Sequence, residues 1–226
     1  MYKIGYIGNF ETVPQVVEYI INSDIEKLEE EYKKGWDINK KIFIHEFVIE
    51  TPLEIAIQCI KEEVIMWLLE KGADITIKNK FGERPYTIAV LNKNQEIMDY
   101  IKSLEPVDFH NEEARKGIIK KYKLPKDMVE FFDKGNLKIE FSGNIDSKYI
   151  EFFKLEDTVE MTWKRKKYLS LVKDLENYWL HLLWYSKEKI LYIFDGEHEE
   201  IYKIGDWNYF INNCEEIVGK FINGEL

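Results

Sequence analysis

The chain has 226 residues, of which 45% are hydrophobic and 15% aromatic, with only 5 prolines and 12 glycines. This composition is typical of a folded globular protein and excludes a disordered chain. The formal charge of −10 argues against nucleic-acid binding, because a protein that follows a phosphate backbone usually presents a basic face. A basic protein partner is compatible with this charge, and so is a surface that is acidic only for solubility.

Targeting signals and metal-binding patterns are missing from the sequence. No stretch approaches the ~18 uninterrupted apolar residues of a membrane span, and the first residues lack the apolar core of a signal peptide. Cys59 and Cys214 lie far apart, without cysteine or histidine neighbours at metal-binding spacing. We therefore expect a cytoplasmic monomer that neither enters a membrane nor uses a cofactor.

The first half contains an internal repeat. Residues 51–56 read TPLEIA, and residues 84–89 read RPYTIA, 33 positions later. A helical stripe follows the first copy, and residues 71–76 then read KGADIT; residues 34–39 read KGWDIN and predict an earlier unit with the same ending. Gly35 and Gly72 are 37 residues apart, which indicates an insertion within residues 40–50.

These segments resemble the ankyrin repeat, which has the same period. The resemblance predicts about three stacked repeats over residues 12–104, the first of them degenerate, since single repeats cannot bury their apolar faces alone. It also implies protein binding through the turn tips and the inner helices, and no catalytic residues. By position, the candidate contacts are Trp36, Glu54, Gln58, Lys78, Lys80, Phe81, Glu83, Arg84, Thr87 and Leu91.

The second half combines helices with strands. Pro106 marks the boundary, so we predict domains over residues 1–106 and 107–226. Helices are predicted at residues 111–121 and 125–134, around Tyr168 to Leu175, and in a closing segment that begins at Trp207. Strands are predicted at residues 137–141, 149–155, 180–185, 190–194 and 200–204. The predicted fold class is α+β: an all-α stack, then a mainly antiparallel sheet flanked by helices.

Two segments of this half, residues 124–127 (LPKD) and 207–210 (WNYF), resemble the opening and closing helices of the SUKH superfamily. The resemblance covers residues 111–224, with Gly135-Asn136 where that family commonly has two glycines. Members include bacterial immunity proteins that neutralise polymorphic toxins, and a yeast regulator of cell-wall assembly. The resemblance implies binding to a toxin domain and occlusion of its active site, without a cofactor.

Catalytic constellations are hard to find. No phosphate-binding lysine loop, nucleophile elbow or paired-histidine metal motif occurs, and His45, His110, His181 and His198 are dispersed. The basic run at residues 164–167 is more typical of an exposed helix start than of a phosphate contact.

We therefore predict a non-enzymatic bacterial immunity protein that binds a toxin domain, with a basic toxin fitting the charge. The alternatives are an ankyrin adaptor in signalling or cell-envelope maintenance, and an enzyme such as a metal-dependent nuclease or hydrolase with a carboxylate site.

Overall fold

The computed structural model describes residues 14–45, 48–143, 145–176, 178–196 and 198–226, with the side chains of His45 and Val48 excepted. These residues form two compact units that meet in sequence between Glu105 and Pro106. Residues 12 and 13, at the predicted start of the first repeat, lie outside the described chain. No described helix is long and apolar enough to cross a membrane.

The described part of the N-terminal unit forms three helix pairs and one hairpin. Its elements are α1 (Gln15–Ile21), α2 (Ile25–Lys33), β1 (Ile42–His45), β2 (Val48–Glu50), α3 (Pro52–Gln58), α4 (Glu62–Glu70), α5 (Pro85–Leu91) and α6 (Gln95–Leu104). Pro52 and Pro85 open the first helices of the second and third pairs, where a missing backbone N–H costs no hydrogen bond.

The same turn joins the two helices of every pair. Ser23, Ile60 and Lys93 each have a left-handed backbone there, with φ of 55°, 54° and 57°. After the second helix of the first and second pairs, Gly35 and Gly72 have φ of 94° and 90°, which only glycine adopts without strain. The local backbone is therefore repeated along the unit.

Consecutive pairs pack on each other, α1 on α3, α3 on α5 and α2 on α4. Polar bonds follow the same order: Asn39 Oδ1 accepts from the Asp74 amide at 2.8 Å, and the Glu29 carboxylate accepts from the Trp67 indole at 3.1 Å. Buried residues from all three pairs form the apolar interior of the unit, among them Val17, Ile20, Leu28, Leu53, Ile55, Ala56, Val64, Leu68, Ile88, Ala89, Ile97 and Ile101.

The C-terminal unit combines four helices with two antiparallel sheets. Its helices are α7 (Glu112–Tyr122), α8 (Lys126–Asp133), α9 (Trp207–Asn212) and α10 (Cys214–Ile222), with 3-10 turns at Val107–Phe109 and Leu155–Asp157. Its strands are β3 (Lys138–Glu140), β4 (Tyr149–Phe152), β5 (Val159–Trp163), β6 (Lys166–Ser170), β7 (Val172–Asp174), β8 (Leu180–Tyr185), β9 (Ile190–Asp195) and β10 (Glu200–Gly205).

Among the described residues the larger sheet has the strand order β10-β9-β8-β6-β5, and the smaller one β3-β4-β7. Every strand pair is antiparallel. The predicted combination of helices and antiparallel sheets is confirmed.

Aromatic rings fill the core of this unit. Phe131 lies 5.1 Å from Phe152 and 5.3 Å from Trp207, centroid to centroid, and Trp207 lies 6.3 Å from Phe210. The Trp184 indole donates to the Tyr122 carbonyl at 2.9 Å, which ties the large sheet to α7. Phe131 and Trp207 attach α8 and α9 to the smaller sheet, since both rings contact Phe152 of β4.

The helix predicted around Tyr168 to Leu175 is wrong. That segment forms β6 and β7, and the basic run before it contains the tight turn between β5 and β6, where Lys164 and Arg165 have positive φ. Residues 168–172 are all buried. When both faces of a strand are covered, its apolar positions lose the alternation of a half-exposed strand and imitate a helical stripe.

Candidate functional site

The hairpin β1–β2 presents an apolar surface to solvent. Phe43 and Ile49 are directly opposed across the two strands, and their side chains are 59% and 48% exposed. Ile44, which follows Phe43, is buried, as the alternation of a strand requires. Ile44 therefore anchors the hairpin, whereas Phe43 and Ile49, called here the apolar hairpin pair, contribute little to the interior.

Charged and aromatic side chains occupy the neighbouring turns. Trp36 is half-buried, and Lys78 and Lys80 are exposed. The Lys41 ammonium donates to the Lys78 carbonyl at 2.6 Å and so links the hairpin to the next turn. The Lys80 ammonium lies 4.9 Å from the centre of the Phe81 ring.

Five of the residues predicted to contact a partner are buried: Glu54, Gln58, Phe81, Glu83 and Thr87. Glu54 and Thr51 form a capping box at the start of α3, in which the Thr51 amide donates to the Glu54 carboxylate at 2.6 Å. Gln58 donates to Glu50 at 2.8 Å. These internal bonds account for the burial of Glu54 and Gln58. Contact of any of the five residues with a partner stays a prediction.

Arg84 and Leu91 are partly buried. Arg84 forms a two-point ion pair with the carboxylate of Glu105, whose side chain is fully buried, and its guanidinium lies 5.3 Å from the Tyr86 ring. This pair ties the start of α5 to the end of the unit. Leu91 is the last residue of α5. A contact of either residue with a partner likewise remains a prediction.

Three carboxyl groups meet in the interior where the hairpin joins the helices. Burial, together with the charges of Glu54 and Glu83, raises the pKa of Glu50 to about 7 in spite of the hydrogen bond from Gln58, which lowers it. Burial likewise raises the pKa of Glu83 to about 7 and raises that of Glu54. The Glu50 and Glu54 carboxylates each have one oxygen without a hydrogen-bond partner among the described residues. Charge is therefore costly here.

The C-terminal unit contains a pocket of about 390 Å³ between β10, the end of α10 and the residues before β8. We call it the acidic aromatic pocket. Its rings are Tyr178, Trp179, Tyr202 and Phe221.

The ionisable groups of the acidic aromatic pocket are Asp195, Glu200 and His198. Asp195 Oδ2 lies 2.7 Å from His198 Nδ1, and the Tyr202 hydroxyl donates to Glu200. The residues described along its wall include no lysine or arginine. Asp195 is thus paired with His198, and Glu200 with Tyr202.

His181 and Cys214 are buried, and Cys59 is partly buried. Burial lowers the pKa of His181 to about 4, so its imidazole is neutral, and its Nδ1 lies 3.3 Å from the Ser170 hydroxyl. Burial also raises the pKa of the Cys59 and Cys214 thiols, to about 11 and about 12, so both are protonated near neutral pH. Within the described chain no group of three or more His, Cys, Asp or Glu side chains is arranged to hold a metal ion.

No protein-family model matches this chain, and no curated protein matches it.

The apolar hairpin pair and the acidic aromatic pocket were not among the contact residues predicted from position in the repeat. The apolar hairpin pair lies in the insertion at residues 40–50, where Ile42, Phe43, Ile44 and the following Val48 and Ile49 have the composition of a hairpin. This composition is the sequence signal from which the hairpin could have been predicted. The acidic aromatic pocket combines side chains from separate segments and had no local signal.

Proposed function

We propose that this protein is a bacterial immunity protein, in which three ankyrin repeats (residues 12–104) and a SUKH-like domain bind a toxin domain and occlude its active site. The 33-residue period, the left-handed turns at Ser23, Ile60 and Lys93, and the pair-on-pair packing support the ankyrin assignment. The combination of helices with antiparallel sheets in the C-terminal unit supports the SUKH-like assignment.

The apolar hairpin pair is the observation that carries protein binding. A phenylalanine and an isoleucine that face each other in water gain little for the fold, because over half of the Phe43 side chain and nearly half of Ile49 remain exposed. Aromatic and aliphatic anchors of this kind dominate the energy of many protein interfaces. We assign the main contact with the toxin to this pair.

Net charge supports a basic partner. At −10 the chain attracts a positively charged protein over several ångströms, which raises the rate of encounter and makes it sensitive to salt. Toxin domains that act on nucleic acids are commonly basic, because they must bind phosphate, and such a domain suits an acidic partner.

Co-expression with a toxin domain, taken from an adjacent gene where one encodes a toxin, tests the proposal. Wild-type protein should restore growth, whereas the double variant Phe43→Ser with Ile49→Ser should not, while it folds and accumulates normally. Met66→Gln is the matched control, because Met66 is an exposed apolar residue on α4, away from the hairpin, and its loss should leave protection intact.

Unchanged killing by the toxin in the presence of wild-type protein, with no complex between the two, would reject the immunity function. Specific capture of a housekeeping signalling or envelope protein through the same hairpin would instead establish the adaptor function.

A further inference from the structure

The hairpin β1–β2 has an inner face that carries one ionisable side chain among its described residues. Ile42 lies opposite Glu50 across the two strands, and Ile44, two residues further along β1, points to the same side. The side chains of Ile44 and Glu50 are buried, whereas the apolar hairpin pair on the outer face is exposed. The hairpin therefore meets the interior of its unit through apolar groups and one carboxyl group.

A negative charge on Glu50 is poorly compensated. Its Oε1 accepts from the Gln58 amide at 2.8 Å, whereas Oε2 is buried and has no hydrogen-bond partner within the described chain. The nearby Cys59 thiol is protonated near neutral pH and contributes no charge. An ionised carboxylate here gives up its hydration shell for a single hydrogen bond, so the neutral form is favoured.

The charged groups around Glu50 come from three neighbouring segments. Burial raises the pKa of Glu50, and so do the charges of Glu54 on α3 and Glu83 before α5. The bond from Gln58 and the charge of Lys41, which precedes β1, lower that pKa. The net result is a pKa of about 7 for Glu50, so its carboxyl group changes charge near neutral pH.

We propose that the hairpin β1–β2 is a proton-controlled binding element, which is closed on the helices while Glu50 is neutral and opens when Glu50 ionises. Glu50 faces inward directly before the Thr51 cap of α3, so water reaches its carboxylate only if the end of β2 lifts away from that helix. Opening also uncovers Ile44 and releases the apolar hairpin pair from its fixed position. The effect on a toxin rests on the proposed function, whereas the opening rests on the hairpin alone.

The direction of the pH dependence follows from the two states. In the open hairpin Glu50 lies in water with its ordinary pKa of 4.5, and closing raises that pKa to about 7. The ratio of open to closed hairpin therefore rises by up to about tenfold per pH unit between pH 4.5 and 7, and levels off above 7. Only the closed form presents Phe43 and Ile49 side by side, so binding through this pair is favoured at acidic pH.

Hydrogen exchange of the full chain, followed by mass spectrometry between about pH 5 and 8, measures the opening. Protection factors correct for the intrinsic rate of exchange at each pH. Those of peptides that cover β1–β2 should fall by up to about tenfold per pH unit on the way to pH 7 and then level off. Peptides of α4 should stay better protected at every pH, as expected if the hairpin opens alone.

Glu50→Gln removes the ionisable group and keeps the acceptor for Gln58, so the protection factors of its hairpin should not change with pH. Glu63→Gln, at an exposed position on α4, is the matched control and should retain the wild-type profile. Protection of the α4 peptides reports whether each variant is folded.

The proposal is overturned if protection of the wild-type hairpin is independent of pH or if Glu50→Gln keeps the dependence. Equal protection of the hairpin and α4 would also overturn it, since the unit would then unfold as a whole. A pH-dependent hairpin in a protein that binds no toxin would keep this inference and reject the proposed function.

Discussion

The two units of this protein bury different kinds of side chain. The N-terminal unit encloses Glu50, Glu54, Glu83 and Glu105 between short helices, and relies on hydrogen bonds and one ion pair to keep them there. The C-terminal unit encloses a continuous apolar core, in which aromatic rings from helices and sheets meet. Changes of charge should therefore act mainly on the first unit, and changes of packing mainly on the second.

The largest effect is expected from Trp207→Ala, which removes a ring that contacts Phe131, Phe132, Phe152 and Phe210. A cavity of this size typically costs about 3–5 kcal/mol in the free energy of unfolding. Urea unfolding followed by near-ultraviolet circular dichroism measures it. The exposed neighbour Asn208→Ala should change stability little, and a loss for Trp207→Ala no greater than that control would contradict the packing account.

In the N-terminal unit, Arg84→Ala should cost roughly 3 kcal/mol, because it removes the guanidinium that faces the buried Glu105 carboxylate. The double variant Arg84→Met with Glu105→Leu should recover much of that loss, since it removes both charges and keeps the volume. Chemical denaturation of the single variants Arg84→Met and Glu105→Leu and of the double variant gives the coupling between the two charges. Additive losses would show that the two charges do not interact.

The buried carboxyl groups predict an unusual dependence on pH. Folding raises the pKa of Glu50 and Glu83 from 4.5 to about 7, so their contribution to stability is complete below pH 4.5 and is lost as the pH rises through 7. Glu50→Gln keeps the acceptor for Gln58 and Glu83→Gln keeps the acceptor for Asn79, while each removes the charge.

Each glutamine variant should stabilise the protein by about 1–3 kcal/mol at mildly alkaline pH. Each should also flatten the decline of the free energy of unfolding between pH 4.5 and 7. Thermal unfolding from pH 4.5 to mildly alkaline pH, with the exposed Glu63→Gln as control, measures the effect. Destabilisation by both variants at alkaline pH would show that the charged carboxylates are favourable in the fold.

The smallest effect concerns the turn between α3 and α4. Ile60 is 46% exposed and adopts a left-handed φ of 54°, which a β-branched residue tolerates poorly. Ile60→Asn should therefore raise stability by about 1 kcal/mol, because asparagine adopts this conformation more readily. Differential scanning calorimetry against Met66→Gln, an exposed change on α4, would detect the gain; a loss in melting temperature would contradict it.

Local signals predicted much of the fold. Strand β8 coincides with the predicted residues 180–185, and α7 begins one residue after its Asn111 cap, close to the predicted start. The residue pattern of each of these segments fits one type of secondary structure, a strand for the first and a helix for the second. The segment from Tyr168 to Leu175 misled because Tyr168, Leu171, Val172 and Leu175 stand at helical spacing, although they belong to the region of β6 and β7.

Side-chain environments were harder to predict than elements. Glu54 stands three residues after Thr51, the spacing of a capping box, and that spacing indicates an internal role more strongly than its position in the repeat indicates a contact. The burial of Glu50 and Glu83 has no such local signature, because it depends on how the hairpin and the next turn come together. The acidic aromatic pocket depends in the same way on separate segments of the C-terminal unit.

The central proposal is that the apolar hairpin pair binds a toxin domain, and an affinity measurement tests it most directly. Isothermal titration of the purified toxin domain with wild-type protein and with the Phe43→Ser, Ile49→Ser double variant compares the two dissociation constants. The account predicts a tight complex for the wild type and an affinity at least about a hundredfold weaker for the double variant, since two interface anchors are lost. Equal affinities, or no complex with either protein, would contradict it.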